Sequence, residues 1–361
     1  MALTNAATGL TPQQWDSEFF SDYVRESRFF KYMGTDDNKI IQTRQDLTAK
    51  KGSSITIALV NELTGDGVTN NTTLEGNEEG LDSRSHRIYV APLRHAVAVT
   101  DWDEQQSAID LRNAGRSQLK IWAKTKMRDG IIKALASING VLYTAATETQ
   151  KDAWLVDNAD RVIFGALLSN NSSNDHSSSL ANIDNTADKF SPAIISAMKE
   201  LAQNASPKIR PINIMGDQEW FVMFTGSRAF RDLKNNSTMQ QANRDARERG
   251  EGNPLFTGDD LIWDSVIIRE IPEITVLTGV GAGSIDVCPV YLCGAQALGV
   301  AWAQRTKSTE QVRDYGFVNG IGIAEVRGIE KLIFGTSASS DTGDLKDHGV
   351  VTGFMAGVAT A

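Results

Sequence analysis

Between Ser54 and Val60 the chain reads SITIALV, with Ile55, Ile57 and Leu59 alternating against small or polar residues. That period of two predicts a half-buried strand. A second run, HRIYVAPLRHAVAVT from His86 to Thr100, also reads as strand. Ile88 and Val90 share one face, while Leu93, Val97 and Val99 have the opposite parity. The switch falls at Pro92, which has no N–H to donate and fits a bulge or a sheet edge. The two runs flank TGDGVTNNTTLEGNEEG, Thr64 to Gly80. Together they predict a long two-stranded arm with a glycine-rich tip.

A helical pattern follows from Asp101 to about Ile138. Leu119, Trp122, Ala123, Met127, Ile131, Leu135 and Ile138 recur at spacings of three and four, one face of a helix. Asp101 is placed to cap it, with Glu104 as the reciprocal capping-box residue. At ~1.5 Å per residue the rod would be about 54 Å long. Gly115 and Gly130 admit a bend, and Asn139-Gly140 supplies the stop. Arg112, Arg116, Lys120, Lys124 and Arg128 recur every fourth residue as a basic ridge. Such rows usually face water; the alternative is contact with acidic partners or packaged nucleic acid.

Further on, Ser169 to Ser179 (SNNSSNDHSSS) reads as a loop. Ser191-Pro192 opens a helix, with Ser191 as its cap. Ile209 to Ile214 reads as a buried strand, and Met239 to Gly250 as a polar helix. Strand-like runs then dominate: Ser265–Ile271, Ile274–Leu277, Ile285–Cys293 and Lys331–Phe334. Helices and strands are segregated rather than alternating, which predicts an α+β fold.

The N-terminal 35 residues add an aromatic cluster: Trp15, Phe19, Phe20, Tyr23, Phe29, Phe30 and Tyr32. Phe19, Tyr23 and Phe30 fall near helical spacing. So much aromatic surface needs cover, from the chain's own core or from a neighbouring subunit. At 41% hydrophobic and 22% charged, the 361 residues suffice for a full core in one large or two ordinary domains. A net charge of −9 argues against a dedicated nucleic-acid binder. MALTNAATGL lacks a basic start followed by an apolar run, so no secretory signal and a reducing cytoplasm are expected. The longest apolar stretch, Cys288 to Ala303, is too short to span a bilayer.

The search for chemistry returns little. Cys288 and Cys293, the only cysteines, fall on opposite faces of a strand and read as buried, inert thiols. His86, His95, His176 and His348 are scattered without ligand spacing. Gly279, Gly281 and Gly283 resemble half a dinucleotide fingerprint, but a strand rather than a helix follows, so a hairpin turn is expected. The phosphate-loop and nucleophile-elbow motifs are missing. From Asp66 the calcium-loop spacing fails, with Val68 at the third position and Asn71 at the sixth. No catalytic, cofactor or metal site is expected.

The ordered set FFKYMG (Phe29–Gly34), DLTAKKGSSITIALVNELTGDGVTNNTTLEGNEEGLDS (Asp46–Ser83), LRHAV (Leu93–Val97), NPLFTG (Asn253–Gly258), CGAQALGVAW (Cys293–Trp302) and YGFVNGIGIAEVRGIEKLIF (Tyr315–Phe334) resembles the major capsid proteins of tailed bacteriophages. The resemblance spans nearly the whole chain and is nearest the N-four type podophages and their prophage relatives. It implies the α+β Hong Kong 97 fold: an N-terminal arm over 1–48 and an extended loop over 49–100. A peripheral domain over 101–204 and 316–361 would carry a spine helix at 101–138, and an axial domain would cover 205–315.

The resemblance also implies hexamers and pentamers of this chain in an icosahedral shell around double-stranded DNA. The virion is the expected location, after assembly in the host bacterial cytoplasm. A portal, a separate scaffolding protein and a decoration protein are the expected partners; no cofactor and no membrane are. Inter-subunit contacts are expected from Trp15, Phe19, Phe20, Tyr23, Phe29 and Phe30 of the arm, from Asp66, Glu75, Glu78 and Glu79 of the loop tip, and from Arg112, Arg116, Lys120, Lys124 and Arg128. Some relatives cross-link through a loop lysine and a neighbour's asparagine. Between Lys51 and Lys120 this sequence has no lysine, so non-covalent contacts are expected to hold the shell. Some relatives carry a fused scaffolding domain, for which the stretch before Ser54 is too short unless the chain is an already processed form. Two other readings stay open: a soluble α+β enzyme with a site near Gly279, and a nucleic-acid binder using the basic ridge.

Overall fold

The computed structural model describes residues 29–45, 52–60, 67–69, 73–76, 78, 83–107, 110–214, 218–247, 261–334 and 345–359. In chain order, the strands of the first half are β1 (Met33–Gly34), β2 (Ile41–Arg44), β3 (Ser54–Val60), β4 (Ser83–Tyr89), β5 (Ala91–Thr100), β6 (Val162–Phe164) and β7 (Ile212–Ile214). Those of the second half are β8 (Gln218–Thr225), β9 (Leu261–Trp263), β10 (Val266–Glu270), β11 (Val287–Cys293), β12 (Leu298–Arg313), β13 (Val318–Lys331), β14 (Ile333–Phe334), β15 (Lys346–Asp347) and β16 (Val350–Ala356). The helices are α1 (Asp101–Gln106), α2 (Leu111–Ala136), α3 (Glu148–Asp157), α4 (His176–Ala181), α5 (Pro192–Asn204), α6 (Ser227–Asn235) and α7 (Ser237–Arg247). The chain divides into two compact units, one built from residues 1–55, 88–135 and 298–330, the other from 56–87, 136–297 and 331–361.

The first unit holds a five-stranded sheet in the order β1-β2-β12-β13-β5. β2 runs parallel to β12, and β13 runs antiparallel to β5, with Val318 opposite Thr100 and Arg327 opposite Ala91. The predicted second strand is therefore two strands. Only β4 pairs with β3 as the arm, while β5 leaves it to form a sheet edge. Pro92 sits in that edge strand, where the missing N–H costs nothing.

The predicted 101–138 helix is also two. Thr100, not Asp101, caps α1, its hydroxyl accepting from the Asp103 amide. Ser107 is extended, and Asp110 restarts the helix by accepting from the Asn113 amide at 3.0 Å. The long segment α2 has 26 residues, about 39 Å at ~1.5 Å each. It continues through both glycines without interruption. Gly115 and Gly130 serve close packing instead. A Cβ at Gly115 would stand 3.3 Å from Val97 of β5, and one at Gly130 would stand 3.0 Å from Ile329 of β13. Between them the Trp122 ring lies on His95, centroids 4.6 Å apart.

The second unit holds a mixed sheet in the order β6-β16-β11-β8-β10-β9, with β7 beside β8. β11 and β16 are antiparallel and buried along their whole length. Alternation sends Cys288, Val290, Leu292, Val351 and Met355 into one hydrophobic cluster with Ile194, Ile195 and Met198 of α5. Val287, Phe354 and Ala356 enter another with Trp154, Leu155 and Phe164. The cysteines thus fall on opposite parities, free and buried as expected. α5 starts at Pro192 as predicted, although the Ser191 side chain makes no capping bond. The Ser169–Ser179 stretch is not all loop: Asp175 caps α4 by accepting from the Ser178 amide. Ile274–Leu277 supplies only a single bridge, Leu277 to Val287.

A buried polar network pins the returning C-terminal segment in this unit. Asp347 and Lys331 are each 1% exposed. Asp347 Oδ2 accepts from Lys331 Nζ at 2.6 Å and from Trp154 Nε1 at 3.2 Å. Asn158 Oδ1 accepts from the Asp347 amide, and Arg161 Nη1 donates to the Asp347 carbonyl. Removing one partner leaves a buried charge alone, which costs about 3–5 kcal/mol. Asp347→Asn is therefore expected to lower the urea midpoint of the unassembled subunit strongly, and Asp347→Asn with Lys331→Met to regain part of the loss.

His348, next in sequence, is pushed down to about 4 by burial, aided by the Arg161 charge. The native state thus binds fewer protons at this site than the unfolded chain, whose imidazole titrates near 6.5. Stability is full above ~6.5 and falls as pH drops towards 4, by up to about 3 kcal/mol. Urea midpoints at neutral pH and near pH 4.5 should differ less in His348→Gln than in the parent; equal differences would remove His348 as the cause.

Candidate functional site

Gly67 and Gly76 adopt left-handed backbone with φ of 69° and 87°, a turn conformation that favours glycine. Glu75 and Glu78 are exposed, and the Glu78 carboxylate accepts from the Gly76 amide at 2.8 Å. Asp66 and Glu79 lie outside the described residues. So do Trp15, Phe19, Phe20 and Tyr23. Of the remaining arm aromatics, Phe29 is buried in the chain's own core and Phe30 is exposed.

The ridge is not a bare basic strip. Arg112 Nη2 reaches Glu310 Oε2 of β12 at 2.8 Å, and Arg116 pairs with the other oxygen of the same carboxylate. Burial pulls the Glu310 carboxyl up, but the bonds and charges of the two arginines outweigh it and hold it below its usual range. Arg128 pairs with Asp129 at 3.1 Å. Lys120 and Lys124 are half-buried and also engaged. The row that sequence spacing defines is thus partly neutralised by partners that only the fold brings near.

One exposed surface escaped the sequence reading. The turn joining β12 to β13 holds Asp314, Tyr315 and Gly316 at positive φ, and Tyr315 stands fully in solvent. Val312, Phe317 and Trp102 are exposed as well. The Asp101 amide donates to the Phe317 carbonyl at 2.9 Å, and Asn319 Nδ2 to Asp101 Oδ1 at 2.7 Å, so Trp102 and Phe317 are held at one end of the sheet. An Asp-Tyr-Gly turn between two alternating runs was the available signal.

The glycine-rich turn at Gly279 is a closed hairpin, as expected. Leu277 and Val287 exchange backbone hydrogen bonds across it at 2.8 Å. The amide of Gly279 donates to Asp286 Oδ1, those of Gly281 and Ala282 to Ile285 and Ile183 carbonyls, and that of Ser284 to Gly281. These donors are spent internally, so this turn lacks the open amide cradle that a phosphate needs. Burial pushes the Cys288 thiol up to about 11 and Cys293 higher still, the opposite of an activated nucleophile.

A buried imidazole is the remaining group of chemical interest. His176 opens α4 and is 1% exposed, ringed by Tyr143, Trp154, Phe164 and Phe354. Its Nε2 lies 3.3 Å from the Tyr143 hydroxyl. Burial lowers its pKa, with the Glu148 carboxylate working against that. Burial likewise drives the Tyr143 hydroxyl well above its ordinary range. Sequence spacing gave no hint of this grouping, because Tyr143, Glu148 and His176 meet only when α3 packs on α4. Among the described residues no helix is long and apolar enough to cross a membrane.

A family model described as phage capsid protein matches residues 4–356. The major capsid protein of Pseudomonas phage KPP25 is 26% identical over 371 residues, covering 95% of this chain and 94% of that protein. The capsid asymmetric unit of cyanophage Pam1 superposes with a TM-score of 0.83 at 35% identity, covering 100% of both chains. The capsid of Ralstonia phage GP4, at 19% identity, shares the fold with a TM-score of 0.74, covering 100% of this chain and 96% of that one. The mixed α+β architecture is thus a phage capsid fold. With its family match running almost from end to end, the chain belongs to the phage capsid protein family and is a major capsid protein, a shell subunit of the virion.

Proposed function

We propose that the subunit works without catalysis, assembling through non-covalent contacts into hexamers and pentamers of an icosahedral shell that encloses double-stranded DNA. Assembly takes place in the host bacterial cytoplasm on a separate scaffolding protein, with a portal and, in the finished shell, a decoration protein. The N-terminal arm (1–48), extended loop (49–100), peripheral domain with its spine (101–204, 316–361) and axial domain (205–315) are the working parts, in the manner of the N-four type podophages. The single observation that supports this most is the β3–β4 pair. Among the described residues it is a sheet of two strands only, with Ile55, Ile57 and Ile88 buried on one face and Thr56, Ala58, Arg87 and Tyr89 exposed on the other; a two-stranded ribbon open on one face is marginal in water. A neighbouring subunit is its natural cover. The exposed Phe30 and the carboxylates Glu75 and Glu78 belong to the same contact set.

Deleting Thr64–Gly80 is the direct test. The far-ultraviolet circular dichroism and thermal midpoint of the free subunit should stay near the parent's, while negative-stain imaging with scaffold should show few or no closed shells. Normal shells from the deletion would refute the loop's role. Reversing charge at Lys120 and Lys124 (Lys120→Glu with Lys124→Glu) should alter particle yield or the DNA retained per particle. Unchanged values for both would leave the ridge as a solvated face.

A further inference from the structure

We propose that the outward face of the first unit's sheet is a receptor for the acidic loop tip of a second copy, with Arg94, Arg305, Lys307 and Arg313 as its cations. This rests on the shell reading above and assigns partners to two of its surfaces.

Helix α2 covers one face of that sheet. Val97, Glu310, Arg327 and Ile329 all turn towards it, so side chains of the opposite parity on each strand point away. On β5 these include Arg94, Ala96 and Ala98, and on β12 Arg305, Lys307 and Arg313, all exposed. From 318 to 328, β13 adds only glycine, alanine and valine at this parity. No outward position of β5 from 92 to 98, of β12 from 303 to 313 or of β13 from 318 to 328 carries a carboxylate. The face is thus basic in a chain whose net charge is −9.

Its relief is as specific as its charge. A Cβ at Gly322 of β13 would stand 3.4 Å from Thr309 Oγ1 of β12 and 3.5 Å from Ala96 Cβ of β5. These three residues therefore lie side by side. One step along the same face, Lys307 neighbours Ala324, whose partner on the other side is Arg94. With strands ~4.8 Å apart, the backbones of Arg94 and Lys307 are about 10 Å apart, with alanine between them. Glycine and alanine form a low floor between basic flanks, on which an extended segment can lie close to the sheet. Arg313 donates to Gln311 Oε1 at 2.9 Å, a neutral acceptor that leaves its charge in place.

The complementary surface is in the same sequence. Residues 52–83 hold six carboxylates and neither lysine nor arginine. Among them Glu75 and Glu78 are exposed, and Glu78 is bonded within its own turn to the Gly76 amide. Opposite charges gathered on two solvent-exposed surfaces of one chain are matched when two copies meet. Tip and face are different surfaces, so the contact is heterologous, and repeated from copy to copy it can close a ring. Duplex DNA also suits a basic face, but the chain itself supplies the fitting anion.

The test is zero-length carbodiimide cross-linking of an equal mixture of ¹⁴N- and ¹⁵N-labelled full-length subunit, concentrated alone and assembled with scaffold. Carbodiimide joins an amine to a carboxylate in contact, and Lys307 is the one lysine at these outward positions. Peptide pairs of mixed isotope joining Lys307 to residues 62–82 are expected. Rings or shells that form without that pair would overturn the site and leave the shell reading standing; absence of any oligomer would overturn both. Salt-sensitive duplex binding that Lys307→Glu abolishes, without the mixed pair, would assign the face to nucleic acid instead. A charge exchange gives a second readout. Arg94→Glu with Lys307→Glu, and separately Glu75→Lys with Glu78→Lys, should each lower particle yield about tenfold or more, with the free subunit's thermal midpoint unchanged. All four substitutions in one chain should restore the yield. Undiminished yield in either pair, or failure of the fourfold chain to recover, would count against the contact.

Discussion

Two strands buried on both faces set the terms for the second unit. β11 and β16 place seven consecutive residues each out of water, which is possible only if both sides of the sheet are covered. Their parity then does the sorting. Even positions of β11 and odd positions of β16 feed the cluster under α5, while Val287, Phe354 and Ala356, of the opposite parity, feed the cluster around Trp154 and Phe164. The Lys331–Asp347 pair lies where the chain returns to lay β16 between β6 and β11. This inner strand comes late in the element order, so the sheet is complete only once β16 is in place.

In the first unit the governing contact is between α2 and the sheet. Two glycines bring the helix backbone close to Val97 and Ile329, and His95 meets Trp122 between them. Buried Glu325 pairs with Arg327 at 3.1 Å and accepts from Thr306, while Arg327 also lies over the Trp302 ring. Burial raises the Glu325 carboxyl despite that arginine. The sheet therefore carries charge on an inner face that helix packing keeps dry. Such pairs are weak contributors to net stability but intolerant of losing one member.

The α+β class, the arm strand β3, the start of α5 and the hairpin at Gly279 were legible because each rests on local pattern. What failed depended on context. The 101–138 periodicity hides the restart at Asp110, since the apolar spacing resumes in phase after Ser107. Gly115 and Gly130 look like breakers in one dimension and act as close-packing positions in three. The long strands β12 and β13 lie half in a sheet and half towards its exposed end, so the alternation of β12 fades into charged residues. The spacing that defines the ridge says nothing of Glu310, which is nearly two hundred residues away in sequence. The Tyr143–Glu148–His176 grouping gave no periodic signal at all.

The outer strands of the first sheet have a consequence for a protein that must exist at very high local concentration. An open strand edge is a template onto which another copy can add by backbone bonds alone, giving an unending ribbon instead of a closed container. Among the described residues, one margin of this sheet is β1, only two residues long, and the other is β5 with Pro92 and Arg94 in it. β1 is too short to template another strand, and along β5 Pro92 removes a donor while Arg94 adds charge to the edge. Growth through sheet edges is thereby discouraged, and the polymer that forms is left to side-chain surfaces, whose curvature and closure the subunit can control.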